Sequence, residues 1–127
     1  MNNEKFSFEK LEVYTESRKL VKEIYKLVKL LPSDEKFDLG SQIRRAAVSI
    51  TANIAEGCGR FSLKEKIYFI GISYGSLMEV FSELQIVKDL GYFAESKLEE
   101  LRPHFHHISK MLSGLRNSYA TALNPKL

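Results

Sequence analysis

The sequence predicts an all-α protein, an antiparallel four-helix bundle in up-down-up-down order, and three observations carry that expectation. Apolar residues recur at spacings of three and four in four successive blocks, and in none of them do they alternate as in a half-buried strand. Short breaker segments holding Pro32, Gly57, Gly59 and Gly91 separate the blocks, and connections that brief join antiparallel neighbours. The 127 residues, 44% hydrophobic and 28% charged, fit a single domain (1–127) with one buried core and argue against a disordered chain.

The first helix is expected over about residues 8–31, with Val13, Leu20, Ile24, Leu27 and Leu31 as its apolar stripe and Val21 and Val28 widening it. Lys22, Glu23, Lys26 and Lys29 take the wet side, and Pro32 stops the helix. The second, about 39–57, opens after Asp38 as N-cap, carries Ile43, Ala47, Ile50 and Ile54, and ends at Gly57 and Gly59. A capping box, Ser62-x-x-Glu65, starts the third, about 63–90, which runs through Ile67, Ile70, Tyr74, Leu77, Phe81 and Leu84 to Gly91. The fourth, about 95–121, starts near Ser96-x-x-Glu99 and continues Leu98, Leu101, Phe105, Ile108, Leu112, Leu115 and Tyr119. Its apolar register passes through Pro103 unbroken, so a kink is expected there rather than a second helix. Residues 124–127 are expected to fray.

The net charge is +3, and the excess is concentrated between Ser41 and Lys66, where Arg44, Arg45, Arg60, Lys64 and Lys66 face only Glu56 and Glu65. So mild a bias does not by itself announce a nucleic-acid binder. The lone cysteine, Cys58, excludes an internal disulfide and fits a reducing compartment. The opening MNNEKFSFEK is charged where a signal peptide needs an apolar run, and no stretch of membrane-spanning length is free of charge. A cytoplasmic protein without membrane contact is therefore expected.

Helices two and three contain an uncharged band that a lone bundle does not need. Ala46 to Ala55 and Ile67 to Met78 carry no charge, although an outer helix of a monomer should expose one charged face. Folding the chain about Gly59 brings residue 46 level with 73 and residue 50 level with 69, so the two stretches form one patch. Ala46, Ser49, Ala52, Asn53, Tyr68, Gly71, Tyr74 and Gly75 are accordingly expected at a subunit interface of a homo-oligomer. The alternative is that the small residues tighten the contact between helices two and three within one chain.

The segment QIRRAAVSITANIAEGCGR, Gln42 to Arg60, and GSLMEV, Gly75 to Val80, resemble the signature motifs of the bacterial 23S rRNA intervening-sequence protein family. With the opening FEKLEVYTESRKLVKEIYKL and the closing KMLSGL, the resemblance covers nearly the whole chain. It implies a left-handed bundle that assembles into rings, often pentamers, without known catalytic activity. Some members are encoded within intervening sequences of ribosomal RNA genes. A related branch, the accessory variability determinant of diversity-generating retroelements, is a basic pentamer that works with a reverse transcriptase and nucleic acid. The partners implied are further copies of the chain and RNA or a reverse-transcriptase-like enzyme.

Two roles are open to the basic residues. In a ring, Arg44, Arg45, Arg60, Lys64 and Lys66 would hold phosphates by counterion release; alternatively an arginine pairs with Glu56, Glu79 or Glu83 and the rest are solvated. Glu56 and Glu79 do not make an acid–base pair, because the fold sets them about 24 Å apart along the helix. His104 and His107 supply two ligands where a closed metal site needs four, and Gly57-Cys58-Gly59 lacks the strand and lysine of a phosphate loop. Tyr68, Phe69 and Tyr74 read as packing residues. The sequence thus predicts a non-enzymatic homo-oligomeric scaffold that binds RNA or a nucleic-acid enzyme through a modest basic face, without catalytic residue, metal, cofactor or small-molecule substrate. The alternative is a protein-protein adaptor that binds no nucleic acid.

Overall fold

The computed structural model describes residues 2–126, and all regular structure among them is helical. Met1 and Leu127, the ends of the expected domain, lie outside the described residues. After a 3-10 turn at Ser7–Lys10 come α1 (Glu12–Val28), the single-turn α2 (Ser33–Lys36), α3 (Leu39–Gly59), α4 (Leu63–Asp89) and α5 (Glu95–Leu123). The four long helices pack in cyclic order, α1 on α3, α3 on α4, α4 on α5 and α5 on α1, with α3 and α4 the most extensively joined pair. Neighbours run antiparallel, since residue numbers climb on one helix as they descend on the next. Ile50 meets Ser73 while Cys58 meets Lys66, and Lys66 meets Tyr119 while Phe81 meets Phe105. Ile24, Ile43, Ile50, Ile54, Ile70, Leu77, Leu84, Leu98, Ile108 and Leu112 fill the shared core. No helix is long and apolar enough to cross a membrane among the described residues.

The first helix is shorter at both ends than its apolar pattern predicts. The Glu9 carboxylate accepts the Phe6 backbone N–H at 2.7 Å and closes the 3-10 turn, and Leu11 is then extended (φ −78°, ψ 128°), so α1 begins at Glu12. At the other end Leu31 turns back into the core through short-range bonds from Leu30 N–H to Leu27 C=O and Leu31 N–H to Val28 C=O. Pro32 bars its predecessor from helix and itself stands at the N-cap of α2, an extra turn that apolar periodicity does not register.

The caps divide in the same way. Ser62 Oγ accepts the Glu65 N–H at 3.1 Å, as the capping box predicts. Asp38 stands at the N-cap of α3 without a side-chain cap bond. Ser96 falls inside α5, whose N-cap is Ala94: a Schellman turn ends α4, with Gly91 at φ +82° and Tyr92 N–H bonded to Val87 C=O, and buried Phe93 then fixes where the chain becomes helical again. Gly57 does not end α3, which runs two residues beyond it and closes at Gly59. A Cβ on Gly57 would lie 3.2 Å from Phe69 Cβ and 3.4 Å from the Lys66 carbonyl oxygen, so this glycine serves the close approach of α3 to α4. The α3–α4 register is correspondingly shifted by about one turn, residue 49 facing 76 and residue 50 facing 73, because the pivot is the 60–62 turn rather than Gly59. Pro103 lies inside α5 and does not split it.

Candidate functional site

The basic residues singled out from the sequence fall into two groups. Arg44 is half-buried and donates to the Lys36 carbonyl at 3.0 Å and to Ser41 Oγ at 3.3 Å, which ties α2 to α3. Arg45 is exposed in a groove shared with Gln42, Ala46, Glu79 and Glu83, and forms no ion pair within 4 Å among the described residues. About 22 Å further along the α3 axis, Arg60 bridges Glu56 and Glu65 and lies 4.7 Å over the Phe69 ring. Lys66 donates to the Cys58 carbonyl at 2.9 Å and sits 5.7 Å from the Tyr119 ring centre, while Lys64 is exposed. The five cations therefore do not form one patch on a single subunit.

Among the carboxylates, Glu56 pairs with Arg60, and Glu79 and Glu83 stand one turn apart on the α3 flank of α4. With the observed register Glu56 is level with residue 68, about 16 Å along α4 from Glu79. Burial and the neighbouring Glu79 push the Glu83 carboxyl up to about 7, and its Oε2 is buried with no hydrogen-bond partner among the described residues.

The expected interface residues split by depth. Ala46 is only 6% exposed and belongs to the subunit's own core. Ser49 and Asn53 are half-buried in the α3–α4 seam, where the Ser49 and Ser76 hydroxyls are hydrogen-bonded at 2.8 Å and Asn53 Nδ2 donates to both the Ser49 carbonyl and its hydroxyl. Ala52, Tyr68, Gly71, Tyr74 and Gly75 face outward, Tyr68 at 63%. A Cβ added to Gly71 or Gly75 would meet nothing within 4 Å, so these glycines do not tighten any contact inside the subunit. Met78, 42% exposed, and Ile86, 49% exposed, prolong the apolar outer surface of α4.

Two further concavities are not legible as sites in the sequence. Between α4 and α5 a shallow cavity of about 260 Å³ is floored by Phe81 and Phe105, edge to face at 5.0 Å, and roofed by Arg102, which lies 4.8 Å over Phe81 and holds Glu99 by two bonds of 2.8 and 3.0 Å. His106 is on its rim; His107 points instead to Glu12 of α1 at 3.7 Å. No cluster of three metal-ligating side chains occurs among the described residues. Cys58 Sγ lies 3.8 Å from the Tyr119 hydroxyl, and burial with that thiol beside it pushes the Tyr119 phenol up to about 12.

The second concavity runs between α1 and α3. Arg18, Lys22 and Thr51 line one part, Ser41, Arg44 and Arg45 the other, and Tyr25 and Val48 belong to both, which makes the groove continuous. The sequence pattern puts Lys22 on a wet helix face and does not single out Arg18, since helical spacing alone does not tell which of two flanks a surface cation takes.

Residues 9–114 match the family model described as 23S rRNA-intervening sequence protein. Among solved structures, a protein of unknown function from the S23 ribosomal protein family of Bacteroides thetaiotaomicron is similar at 25% identity, over 83% of this chain and 95% of that one, with a TM-score of 0.75. No curated protein matches the chain.

Proposed function

The chain belongs to the 23S rRNA-intervening sequence protein family, and from that premise we propose that it is a non-enzymatic, self-associating helical scaffold whose subunits meet across the outer face of α3 and α4. One observation carries the proposal. Ala52, Tyr68, Gly71, Tyr74, Gly75 and Met78 form an exposed surface without charge on helices whose other sides already fill the core. The two glycines cost roughly 1 kcal/mol each in helix propensity and gain nothing within the subunit, whereas a second helix laid against them could approach closely. A closed ring is the form that the family resemblance suggests, and a cytoplasmic setting suits the single Cys58 thiol. Sedimentation in dilute buffer tests this: a multiple of 14.6 kDa is expected, five-fold for a pentamer, and a stable 14.6 kDa particle would overturn it.

Contact with RNA or a reverse-transcriptase-like enzyme is the second part of the reading. It is supported by exposed Arg45 and Lys64, neither of which has a carboxylate within ion-pair distance among the described residues. Retention of RNA that weakens steeply with salt is the expected result, and no retention at low salt would leave a protein-protein adaptor.

A further inference from the structure

We propose that the groove between α1 and α3 binds single-stranded RNA, with Arg18, Lys22 and Arg45 on its phosphates and a base stacked on Tyr25. This rests on the nucleic-acid part of the reading above and gives it a location that the sequence did not. The two flanks of α1 carry different charge. On one, Glu16 pairs with Lys19 and Glu23 with Lys26, both at 3.0 Å, and Glu12 reaches His107 of α5. On the flank turned to α3, Arg18 and Lys22 have no carboxylate within ion-pair distance among the described residues.

The opposite wall adds no negative charge, since α3 has no acidic residue before Glu56. A merely solvated surface mixes signs, as the other flank of α1 does; this groove holds four cations and no carboxylate among its lining residues, Glu79 and Glu83 lying beyond Arg45 on the α4 side. From Ser41 to Thr51 it extends about 15 Å along α3, which is room for a short run of backbone phosphates. Tyr25 is exposed midway between the cations, and the hydroxyls of Ser41 and Thr51 stand at the two ends. An aromatic face interleaved with cations is the arrangement that single strands use, stacking a base while the backbone tracks the charges. An acidic peptide would engage the cations and leave the ring without a role.

The test is fluorescence anisotropy of a labelled U20 RNA with the full-length chain, titrated with KCl. Binding should weaken linearly on a log–log plot, and Arg18→Ala with Lys22→Ala should reduce the slope by about 1.4, at about 0.7 for each phosphate no longer neutralised. Tyr25→Ala should lower affinity about tenfold at an unchanged slope. Lys110→Ala, exposed on α5 and outside the groove, should alter neither, and circular dichroism should show equal helix content in all variants. Undiminished binding by the groove variants would overturn the location while leaving the nucleic-acid reading standing. Failure of the unaltered chain to bind U20 at low salt would overturn both. Displacement by poly-L-glutamate at equal charge, with Tyr25→Ala without effect, would overturn RNA in favour of an acidic protein segment.

Discussion

Glu83 sits where its charge is costly. The unfolded chain binds this proton with an ordinary carboxyl value of 4.5, and the folded chain with one near 7, because the site is partly buried and Glu79 lies beside it. Between those values the folded state holds more proton. Its stability is therefore undiminished below about pH 4.5, falls as pH rises through 7 and stays lower above. Glu83→Gln should raise stability at pH 8 by about 1 kcal/mol, the larger figure implied by the full shift being screened by partial exposure. At pH 4 it should change little; urea melts at the two pH values check this, and equal effects at both would refute the electrostatic cause. Gly91 is a second residue-scale test. Its φ of +82° is the left-handed conformation of the turn that ends α4, and Gly91→Ala should cost about 1 kcal/mol in the same assay.

At the scale of elements, α4 is joined to its neighbours in two distinct ways. On its inner side Ser73 Oγ donates to the Ile50 carbonyl at 2.7 Å in a fully buried contact, and Gly57 of α3 admits the Phe69 side chain closely. Gly57→Leu should therefore overpack the seam and cost about 1 to 3 kcal/mol, seen as a lowered melting temperature. Pro103 is the converse case. It is exposed inside α5 and lacks the N–H that would bond the Glu99 carbonyl, so Pro103→Ala should stabilise the helix by up to about 3 kcal/mol. An unchanged or lower melting temperature would mean that the tertiary packing of α5 depends on the proline. The positions of the four long helices were legible because each apolar stripe is long and its caps or breakers are explicit. The starts of α3, α4 and α5, at residues 39, 63 and 95, were legible as well, whereas both ends of α1 were not: Leu11 and Leu31 turn the chain toward the core, and such packing overrides local periodicity there by three to four residues.

For the whole molecule, the face of α3 and α4 proposed for self-association and the α1–α3 groove proposed for RNA draw on different side chains. Gly75→Leu should not destabilise the subunit, because a Cβ there meets nothing within 4 Å and leucine is the better helix former by roughly 1 kcal/mol, yet it should reduce the sedimenting mass to that of one chain. A variant that still assembles would show that another surface joins the subunits. The candidate sites were only partly legible. The uncharged band was visible as a run of residues, but Ala46 proved to be core, while Ser49 and Asn53 proved to line a hydrogen-bonded seam. Arg44 and Arg45, adjacent in sequence to no other cation of the groove, meet Arg18 and Lys22 only across two helices.

Periodicity, caps and breakers settled by themselves that this chain is a bundle of four long helices, since the 3.6-residue repeat records which side of each helix must leave water. The tertiary structure alone decided which glycines face a neighbour and which face solvent, and which cations share a groove. Those properties depend on helix rotation and register, and both are fixed by packing between segments far apart in the chain, where a shift of one turn moves every outward residue to a new neighbour.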